Sequence, residues 1–275
     1  MEARLLNLEE YVHSGEGANG ESLNHKTDSS LMVKLYNAGT PREKIENELI
    51  FAQKIYDLGI PTPKPGEYVT DGNGRYGIQF QRIVGKKSFS RAIGDNPENV
   101  EEYARRFARL CKVLHGTKVS KEEFISVKDQ YRSILSKLDV YTPEERKYIE
   151  KVIDEAPDGD TAIHGDLQFS NVITDGKRDV FIDMGDFTYG SPLFDLGMVL
   201  FTCLYDNVDF LREVFHMEPE SAREFWKYFC KEYFGEDADP DEKEMLLRPY
   251  AALKLLIIER DTRVALPEYH WLLKA

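Results

Sequence analysis

The residues with the clearest capacity for chemistry lie in one short segment, residues 164–171, which reads HGDLQFSN. Its polar side chains include Asp166 and, five residues later, Asn171. A second aspartate, Asp183, follows beyond a predicted hairpin with its turn at residues 175–178 (DGKR). Because a hairpin folds the chain back on itself, we expect Asn171 and Asp183 to lie side by side.

This set of side chains suits the transfer of a phosphoryl group to a hydroxyl. Such a reaction asks little covalent chemistry of a protein, because catalysis consists mostly of positioning and of neutralising charge. It needs oxygen ligands for Mg²⁺, which carboxylate and amide groups provide. It also needs a carboxylate within hydrogen-bonding reach of the attacking hydroxyl, to orient that group and accept its proton. Two aspartates and an asparagine at this spacing supply all of these functions.

The rest of the sequence predicts an α+β fold in two lobes, which must hold these residues. Residues 1–84 contain short β-prone runs and one helical pattern, and they predict an N-lobe with a small antiparallel sheet. Residues 85–275 predict a larger, mainly helical C-lobe, in which residues 162–183 are an island of strands. The connector between the lobes is expected near residues 81–86.

Individual elements are marked by turn and capping residues. Residues 31–36 predict a strand, and residues 41–58 predict a helix with Thr40 as its N-cap. Residues 71–74 (DGNG) predict a hairpin turn, and Thr142 begins a capping box. Helical patterns also fill residues 100–115, 220–234 and 241–262.

Segment 164–183 resembles the catalytic loop and metal-binding segment of the aminoglycoside phosphotransferase and choline kinase superfamily. Members of that superfamily have a two-lobed fold similar to that of protein kinases. The resemblance implies that Asp166 is the catalytic base and that Asn171 and Asp183 bind Mg²⁺.

Two further residues match that family's support of the catalytic loop. By the resemblance, His164 would be a structural member of the loop, and Asp195 would open a helix and brace the loop. A carboxylate at a helix N-terminus is also an ordinary feature, and it is compatible with the same role. The resemblance covers about residues 12–203, and beyond residue 205 it extends only to a helical subdomain of similar length.

A glycine-rich stretch near the N-terminus matches the pattern G-x-G-x-x-G, with Gly15, Gly17 and Gly20 at its fixed positions. In a dinucleotide-binding unit these glycines would open a helix, but residues 21–36 read as strand, turn and strand. A glycine-rich turn between two strands is the kinase arrangement, in which backbone amides cover the phosphates of ATP. The alternative is a flexible surface turn.

Lys34 lies within an apolar predicted strand, where a lysine on a half-buried face needs a partner. By the resemblance, this lysine would contact the α- and β-phosphates of ATP and be held by a glutamate of the following helix. We assign that role to Glu48, with Glu46 and Glu43 as the alternatives. The alternative is that Lys34 is an ordinary exposed residue of the strand.

Residues 78–85 (IQFQRIVG) resemble the hinge of the family, an apolar strand that ends in glycine. By analogy, adenine would hydrogen-bond to main-chain groups of Gln81 and Ile83. His115 closes the next helix and is interpreted as a C-terminal cap rather than a catalyst. Asp186 stands where aminoglycoside enzymes more often carry a basic or small residue, and the sequence offers no account of it.

The resemblance implies an enzyme that uses ATP and Mg²⁺ to move the γ-phosphate to a hydroxyl of a small molecule, as aminoglycoside phosphotransferases do. The alternatives are a kinase for choline, ethanolamine or another small metabolite, and a non-catalytic nucleotide-binding pseudokinase. The pseudokinase is disfavoured because every residue of the nucleotide and metal pattern is present. A protein kinase ranks last because the Asp-Phe-Gly and Ala-Pro-Glu elements are missing. The histidines show no metal-ligand spacing that would favour a metallohydrolase.

The acceptor pocket of this superfamily is built largely from C-terminal helices. Carboxylates line it for polyamine substrates, and aromatic rings line it for a quaternary ammonium. The candidate carboxylates are Asp206, Asp209, Glu259, Asp261 and Glu268. The candidate rings are Tyr205, Tyr250, Tyr269, Trp226 and Trp271. For most of them, a solvated helix face or core packing is the ordinary explanation.

Composition narrows the partners of this chain of 275 residues. Its formal charge of −13 repels phosphate backbones and anionic lipids, so neither nucleic acid nor membrane is an expected partner. The charge suits a cationic acceptor, although solubility explains it equally well. Three dispersed cysteines predict buried free thiols, and the N-terminus lacks the apolar core of a signal peptide, so the expected location is cytoplasmic. The oligomeric state has no sequence signature.

Overall fold

The computed structural model describes residues 1–17 and 20–274, and the chain divides into two compact units. The first unit consists of Met1–Lys86 and Ile173–Ile182. The second consists of Lys87–Val172 and the chain from Asp183 onward. Both strands and helices are present, so the α+β class predicted from the sequence is confirmed.

The described residues contain the following regular elements. The strands are β1 (Arg4–Leu5), β2 (Tyr11–Gly17), β3 (Gly20–His25), β4 (Leu31–Tyr36), β5 (Pro65–Thr70), β6 (Tyr76–Gln81), β7 (Lys87–Ser88), β8 (Thr161–Ile163), β9 (Val172–Thr174), β10 (Asp179–Phe181) and β11 (Thr188–Gly190). The helices are α1 (Arg42–Asp57), α2 (Phe89–Asp95), α3 (Val100–Gly116), α4 (Val127–Leu135), α5 (Pro143–Glu155), α6 (Leu193–Leu200), α7 (Val208–Glu213), α8 (Pro219–Phe234), α9 (Pro240–Ala252) and α10 (Lys254–Thr262).

The first unit is built on one sheet with the strand order β1-β5-β6-β4-β3-β2. Its neighbouring strands are antiparallel, except that the short β1 runs parallel to β5. Helix α1 packs on this sheet through Ile45 and Leu49, which are buried in one cluster with Tyr36 and Ile78. The helix has Pro41 as its N-cap rather than the predicted Thr40, and no side chain caps its first turn because proline carries no acceptor.

Both predicted hairpins of this unit are confirmed, and an aspartate organises each turn. Asp71 lies in the turn between β5 and β6, and its side chain accepts hydrogen bonds from the amides of Asn73 (2.8 Å) and Arg75 (3.0 Å). Asp175 lies in the turn between β9 and β10, and its side chain accepts hydrogen bonds from the amides of Lys177 (2.9 Å) and Arg178 (2.8 Å). The side chain of an aspartate stabilises a turn in this way by replacing a backbone acceptor.

The second unit is a helical body with a dense aromatic core. Helix α3 packs along α8, and α6 packs along α9. The ring of Phe107 contacts Phe225 (centroids 5.4 Å apart) and Phe229 (5.9 Å). Strands β8 and β11 pair antiparallel, and β8 ends directly before segment 164–171. Thr142 and Glu145 form the predicted capping box of α5.

The cysteine and membrane expectations can be compared with this fold. All three cysteines are buried and free, as predicted; they are Cys111, Cys203 and Cys230. Within residues 1–17 and 20–274, no helix is long and apolar enough to cross a membrane.

The prediction of one continuous helix over residues 241–262 is wrong. The helical path is interrupted at Leu253, whose amide donates to the carbonyl of Tyr250 (3.1 Å) and whose carbonyl accepts from Leu256 (3.1 Å). These bonds span three residues instead of four, so the chain is tightened locally. Pro249, which cannot donate a backbone hydrogen bond, lies one turn earlier in α9.

Candidate active site

Asp166 lies in the loop after β8, and its side chain keeps 22% of its surface exposed. Its Oδ2 accepts hydrogen bonds from Nδ2 of Asn171 (3.0 Å) and from Nε2 of Gln168 (3.3 Å). The same Nδ2 of Asn171 also donates to the main-chain oxygen of Asp166 (2.9 Å). Two of the three residues singled out from the sequence are therefore in direct contact.

Asp195 holds the backbone of this loop. It stands in the first turn of α6, is completely buried, and accepts hydrogen bonds from the amides of His164 (2.7 Å) and Gly165 (2.9 Å). The buried ring of His164 accepts from the amide of Asp166 through Nδ1 (3.3 Å). Charged acceptors on backbone amides make strong hydrogen bonds, so the loop has little freedom to move.

The buried face of Asp195 has a further partner in His115. Nε2 of His115 lies 3.1 Å from Oδ2 of Asp195, and Nδ1 lies 2.7 Å from the hydroxyl of Tyr233. The interpretation of His115 as a helix C-cap is therefore wrong, because its ring pairs with a carboxylate instead of the last helical carbonyls. A buried carboxylate requires such a donor, and α3 supplies it.

The glycine beside Asp166, Gly165, allows this loop to approach the segment that carries Asp183. A Cβ at Gly165 would lie 2.1 Å from the main-chain oxygen of Asp186, far inside contact distance. Gly165 also has a φ of +86°, which residues with a side chain rarely adopt. Glycine is thus required here for two independent reasons.

Asp183 has a left-handed backbone conformation, with φ 61° and ψ 48°. A non-glycine residue in this region is uncommon and often marks a functional position. Asn171 and Asp183 flank the two ends of the β9–β10 hairpin, and both belong to the second unit. The hairpin therefore returns the chain to the same unit after a short excursion.

Asn171 and Asp183 carry side-chain oxygen atoms, which are the ligands that Mg²⁺ prefers. Because Nδ2 of Asn171 donates to Asp166, the amide oxygen of Asn171 is turned away from that carboxylate. The part of the chain that the structure describes contains no cluster of three or more His, Cys, Asp or Glu side chains for a metal. One amide and one carboxylate suit an ion that arrives with the phosphates of a nucleotide, as Mg²⁺ usually does.

The charge state of Asp166 is governed by two opposing effects. Burial alone would raise the pKa of its carboxyl group, but the positive charge and hydrogen bond of Lys254 lower it. The hydrogen bond from Asn171 lowers it further, so the net pKa lies below its ordinary value. Asp166 is therefore ionised at neutral pH and able to accept a hydrogen bond from a hydroxyl.

Lys254 is the main site residue that our sequence predictions missed. Its Nζ donates to Oδ1 of Asp166 from the first position of α10, and only 5% of the residue is exposed. The available signal was a lysine inside the apolar run of residues 251–258 (AALKLLII), since a buried lysine needs a partner. The sequence does not identify that partner.

Asp186 now has a structural explanation. Arg260 donates to both of its carboxylate oxygens, at 2.6 and 2.7 Å, and Nε2 of Gln130 donates to Oδ1 at 2.9 Å. The hydrogen bond to Asp186 raises the pKa of Arg260 well above its ordinary value. The segment after Asp183 is thereby fixed to α10 and to α4.

The predicted lysine–glutamate pair forms within the first unit. Nζ of Lys34, on β4, lies 2.8 Å from Oε1 of Glu48, on α1. Glu46 instead contacts the N-terminal ammonium (2.9 Å). The choice of Glu48 over its neighbours thus agrees with the contacts, and the ammonium of Lys34 also lies 4.8 Å from the ring centre of Tyr36.

The glycine-rich stretch lies between the paired strands β2 and β3. Gly15 is in β2, and Gly17 faces Gly20 across the ladder. A Cβ at Gly20 would lie 2.2 Å from the main-chain oxygen of Leu35, so β3 and β4 approach closely there. Ala18 and Asn19, the middle of the G-x-G-x-x-G pattern, lie outside the described residues.

Of the predicted hinge residues, Gln81 is the last residue of β6 and Ile83 follows two residues later, both in the first unit. The amide of Gln81 donates to the carbonyl of Lys64 (2.8 Å), so a purine could meet only the carbonyl group of its backbone. Ile83 is buried in an apolar cluster with Ile173 and Val180.

Several of the candidate acceptor residues have structural partners. Glu259 is buried and lies 3.3 Å from Nε2 of His270, and Asp261 pairs with Arg260 at 2.7 Å. The indole of Trp226 is buried and donates to a backbone carbonyl at 3.3 Å. Asp206 differs from the candidates above in its charge state, because burial raises the pKa of its carboxyl group to about 6.

The remaining candidates lie in the π-helical turn after α6 (Phe201–Tyr205), on α7, on α9 and in the C-terminal turns. The hydroxyl of Tyr205 donates to Glu244 (2.7 Å), and its ring contacts Trp271 (5.6 Å). The half-buried Tyr250 packs edge-on against the buried ring of Phe194. Asp209 and Glu268 are exposed, and Tyr269 lies against Phe201.

The sequence profile of the phosphotransferase enzyme family matches residues 15–233. The match extends from the glycine-rich stretch to the end of α8 and includes every catalytic and nucleotide-binding residue predicted above. No curated protein matches the sequence.

Solved structures share the fold at low sequence identity. A thermostable mutant of aminoglycoside phosphotransferase APH(4)-Ia, in a ternary complex with ADP and hygromycin B, has a TM-score of 0.62 at 12% identity, covering 96% of this chain and 90% of that one. The amicoumacin kinase hAmiN with AMP-PNP, Ca²⁺ and Ami has 0.56 at 14%, covering 98% and 87%. A choline/ethanolamine kinase family protein from Mesorhizobium loti has 0.53 at 16%, covering 91% and 77%.

Proposed function

The chain belongs to the phosphotransferase enzyme family, and on that premise we propose that it transfers the γ-phosphate of ATP to a hydroxyl group of a small molecule. The observation that carries this proposal is the environment of Asp166. Its carboxylate is kept ionised, is oriented by Asn171 and stands on a loop that Asp195 anchors. These are the properties required of a base that receives the proton of an attacking hydroxyl.

In the proposed reaction, the acceptor oxygen attacks the γ-phosphorus in line with the bond to ADP. A new oxygen–phosphorus bond forms, and the bond from the γ-phosphorus to the bridging oxygen breaks. ADP leaves with that electron pair. Asp166 receives the hydroxyl proton and then releases it to water. Because the acceptor attacks the γ-phosphorus directly, no covalent phospho-enzyme is formed.

The other predicted residues would bind the nucleotide. In the first unit, Lys34 would contact the phosphates while Glu48 fixes its ammonium, and the glycines of β2 and β3 would present backbone amides. In the second unit, Asn171 and Asp183 would hold Mg²⁺, which when bound neutralises charge on the phosphates. The neighbouring structures with ADP and AMP-PNP support the choice of an adenine nucleotide.

The acceptor is proposed to be a small molecule with a free hydroxyl. Structures with the same fold hold hygromycin B and Ami, and another belongs to the choline/ethanolamine kinase family. Aminoglycosides are therefore the first class to examine, and amino alcohols such as choline and ethanolamine are the second.

The test is ATP consumption by the purified protein with a panel of acceptors. The panel contains aminoglycosides, hygromycin B, amicoumacin, choline, ethanolamine, homoserine and simple sugars. Turnover with one of them, and a fall in kcat of about 100-fold or more in Asp166→Ala, are the expected results.

An exposed aspartate provides the matched control. Asp237→Asn removes an exposed carboxylate from the turn after α8 in the same unit and should leave the rate unchanged. Nucleotide binding without turnover of any acceptor would favour the pseudokinase alternative. Turnover that survives in Asp166→Ala would contradict the assignment of the base.

A further inference from the structure

Lys254 is a charged residue in an otherwise apolar environment. Every residue from Ala251 to Ile257 is buried, and Lys254 itself is only 5% exposed. Moving an ammonium group out of water is costly unless a charged partner compensates for it. A leucine or methionine would satisfy the packing of this segment, so packing does not explain the presence of a lysine.

The partner of Lys254 is the proposed base. Nζ of Lys254 donates to Oδ1 of Asp166, and Nδ2 of Asn171 donates to Oδ2 (3.0 Å). The two carboxylate oxygens are therefore held by different parts of the chain, Oδ2 by the catalytic loop and Oδ1 by α10. A carboxylate fixed at both oxygens keeps one orientation. Oδ2 already accepts from Asn171 and Gln168, whereas Oδ1 accepts from Lys254 and retains a lone pair that can meet a hydroxyl.

The tightened junction between α9 and α10 places this lysine. Leu253 makes hydrogen bonds that span three residues on both sides, and Lys254 follows directly. A local change of helical pitch rotates the following side chain about the helix axis, and short tight turns of this kind often mark functional positions. The same helix also carries Arg260, which fixes Asp186 beyond the metal segment.

We propose that Lys254 is a positioning residue for phosphoryl transfer, an inference that rests on the function proposed above. Its ammonium holds the carboxylate of Asp166 toward the acceptor and keeps a positive charge beside the group being transferred. Lys254 retains its own proton throughout, because the hydroxyl proton goes to Asp166. Preorganised positive charge of this kind favours a transition state in which negative charge is spread over the phosphoryl oxygens.

The experiment compares Lys254→Met and Lys254→Arg with the wild-type protein, using an acceptor that the wild type phosphorylates. We expect Lys254→Met to lower kcat by about 100-fold, since misplacing a catalytic group by one ångström has a cost of that order. The KM for ATP and the nucleotide Kd from calorimetry should stay within about twofold, because Lys254 acts through Asp166. Lys254→Arg keeps the charge and should recover about a tenth of the wild-type rate.

Lys112→Met is the matched control, because it removes an exposed lysine from α3 in the same unit. It should leave kcat and thermal stability unchanged. If Lys254→Met fails to fold, Lys254→Gln replaces it, since an amide can still donate to Asp166 without a charge. The predicted fall in kcat applies equally to that variant.

Three outcomes would overturn the proposal. A kcat within about threefold of wild type in the folded Met or Gln variant would show that Lys254 is only structural. A rise in kcat in that variant would show that the ion pair between Lys254 and Asp166 inhibits Asp166 as a base. Absence of turnover in the wild-type protein, with every acceptor and with water, would instead remove the proposed function and this inference together.

Discussion

The guanidinium of Arg260 forms a two-pronged ion pair with the carboxylate of Asp186, with N–O distances of 2.6 and 2.7 Å. Asp186 lies three residues after Asp183, and its main-chain oxygen is the atom that prevents any side chain at Gly165. One ion pair on α10 therefore fixes the segment that carries Asp183 and Asp186 against the loop that carries Asp166. Lys254, on the same helix, reaches the loop itself.

Arg260→Lys tests whether the two-pronged geometry of the ion pair with Asp186 is needed, or only the positive charge. A lysine keeps the charge but cannot donate two parallel hydrogen bonds. We expect a loss of about 1 to 2 kcal/mol in the free energy of unfolding. We also expect kcat to fall by about tenfold, measured by denaturant titration and steady-state kinetics.

Arg212→Lys is the corresponding control, because Arg212 pairs with Glu218 at 2.8 Å on the surface. Exposed pairs contribute little, so both stability and rate should stay at the wild-type values. Equal effects of the two substitutions would argue against a special role for the Asp186 pair.

Asp195→Asn should weaken the anchoring of the catalytic loop. The amide has only one oxygen acceptor, so either the His164 or the Gly165 amide would face an NH₂ group. A buried unsatisfied donor costs about 1 to 3 kcal/mol. Calorimetry should show that loss, whereas Asp209→Asn in the first turn of α7 should show none. Comparable losses would indicate a helix N-terminal effect rather than support of the loop.

Gly165→Ala should be among the most damaging single methyl additions in the chain. The new Cβ would lie 2.1 Å from the oxygen of Asp186, and the φ of +86° would be strained in addition. We expect a loss of about 3 kcal/mol and severe loss of turnover. Gly116→Ala, at a glycine with nothing within 4 Å, should be nearly neutral. A well-folded, active Gly165→Ala protein would refute the close approach.

The raised pKa of Asp206 predicts that the free energy of unfolding depends on pH. Burial raises its folded pKa to about 6, although the amide of Asn207 and the charge of Lys254 lower it in part. A carboxyl group with a raised folded pKa stabilises the fold fully below the unfolded pKa, near 4, and loses that contribution as the pH rises through 6.

Asp206→Asn should therefore be more stable than wild type by about 1 to 3 kcal/mol at pH 8, and the difference should vanish near pH 4. Urea titrations at a series of pH values measure both proteins. A constant difference across this range would mean that Asp206 titrates normally in the folded protein.

Local patterns in the sequence were sufficient for the elements that depend on neighbouring residues. The hairpin turns at Asp71 and Asp175 and the capping box at Thr142 follow from hydrogen bonds within a few residues. The spacing of Asp166 and Asn171 places both in one loop, where they touch. Short-range hydrogen bonds of this kind are encoded by residue type and spacing alone.

The tertiary structure decided which distant residues complete the site. Lys254 is 88 residues from Asp166 in sequence, and Arg260 is 74 from Asp186. Which charge an isolated lysine or arginine meets depends on how α10 packs and on the tightened turn at Leu253, neither of which helical periodicity encodes. The same reason explains His115, a residue at a helix end whose ring turns inward to a buried carboxylate.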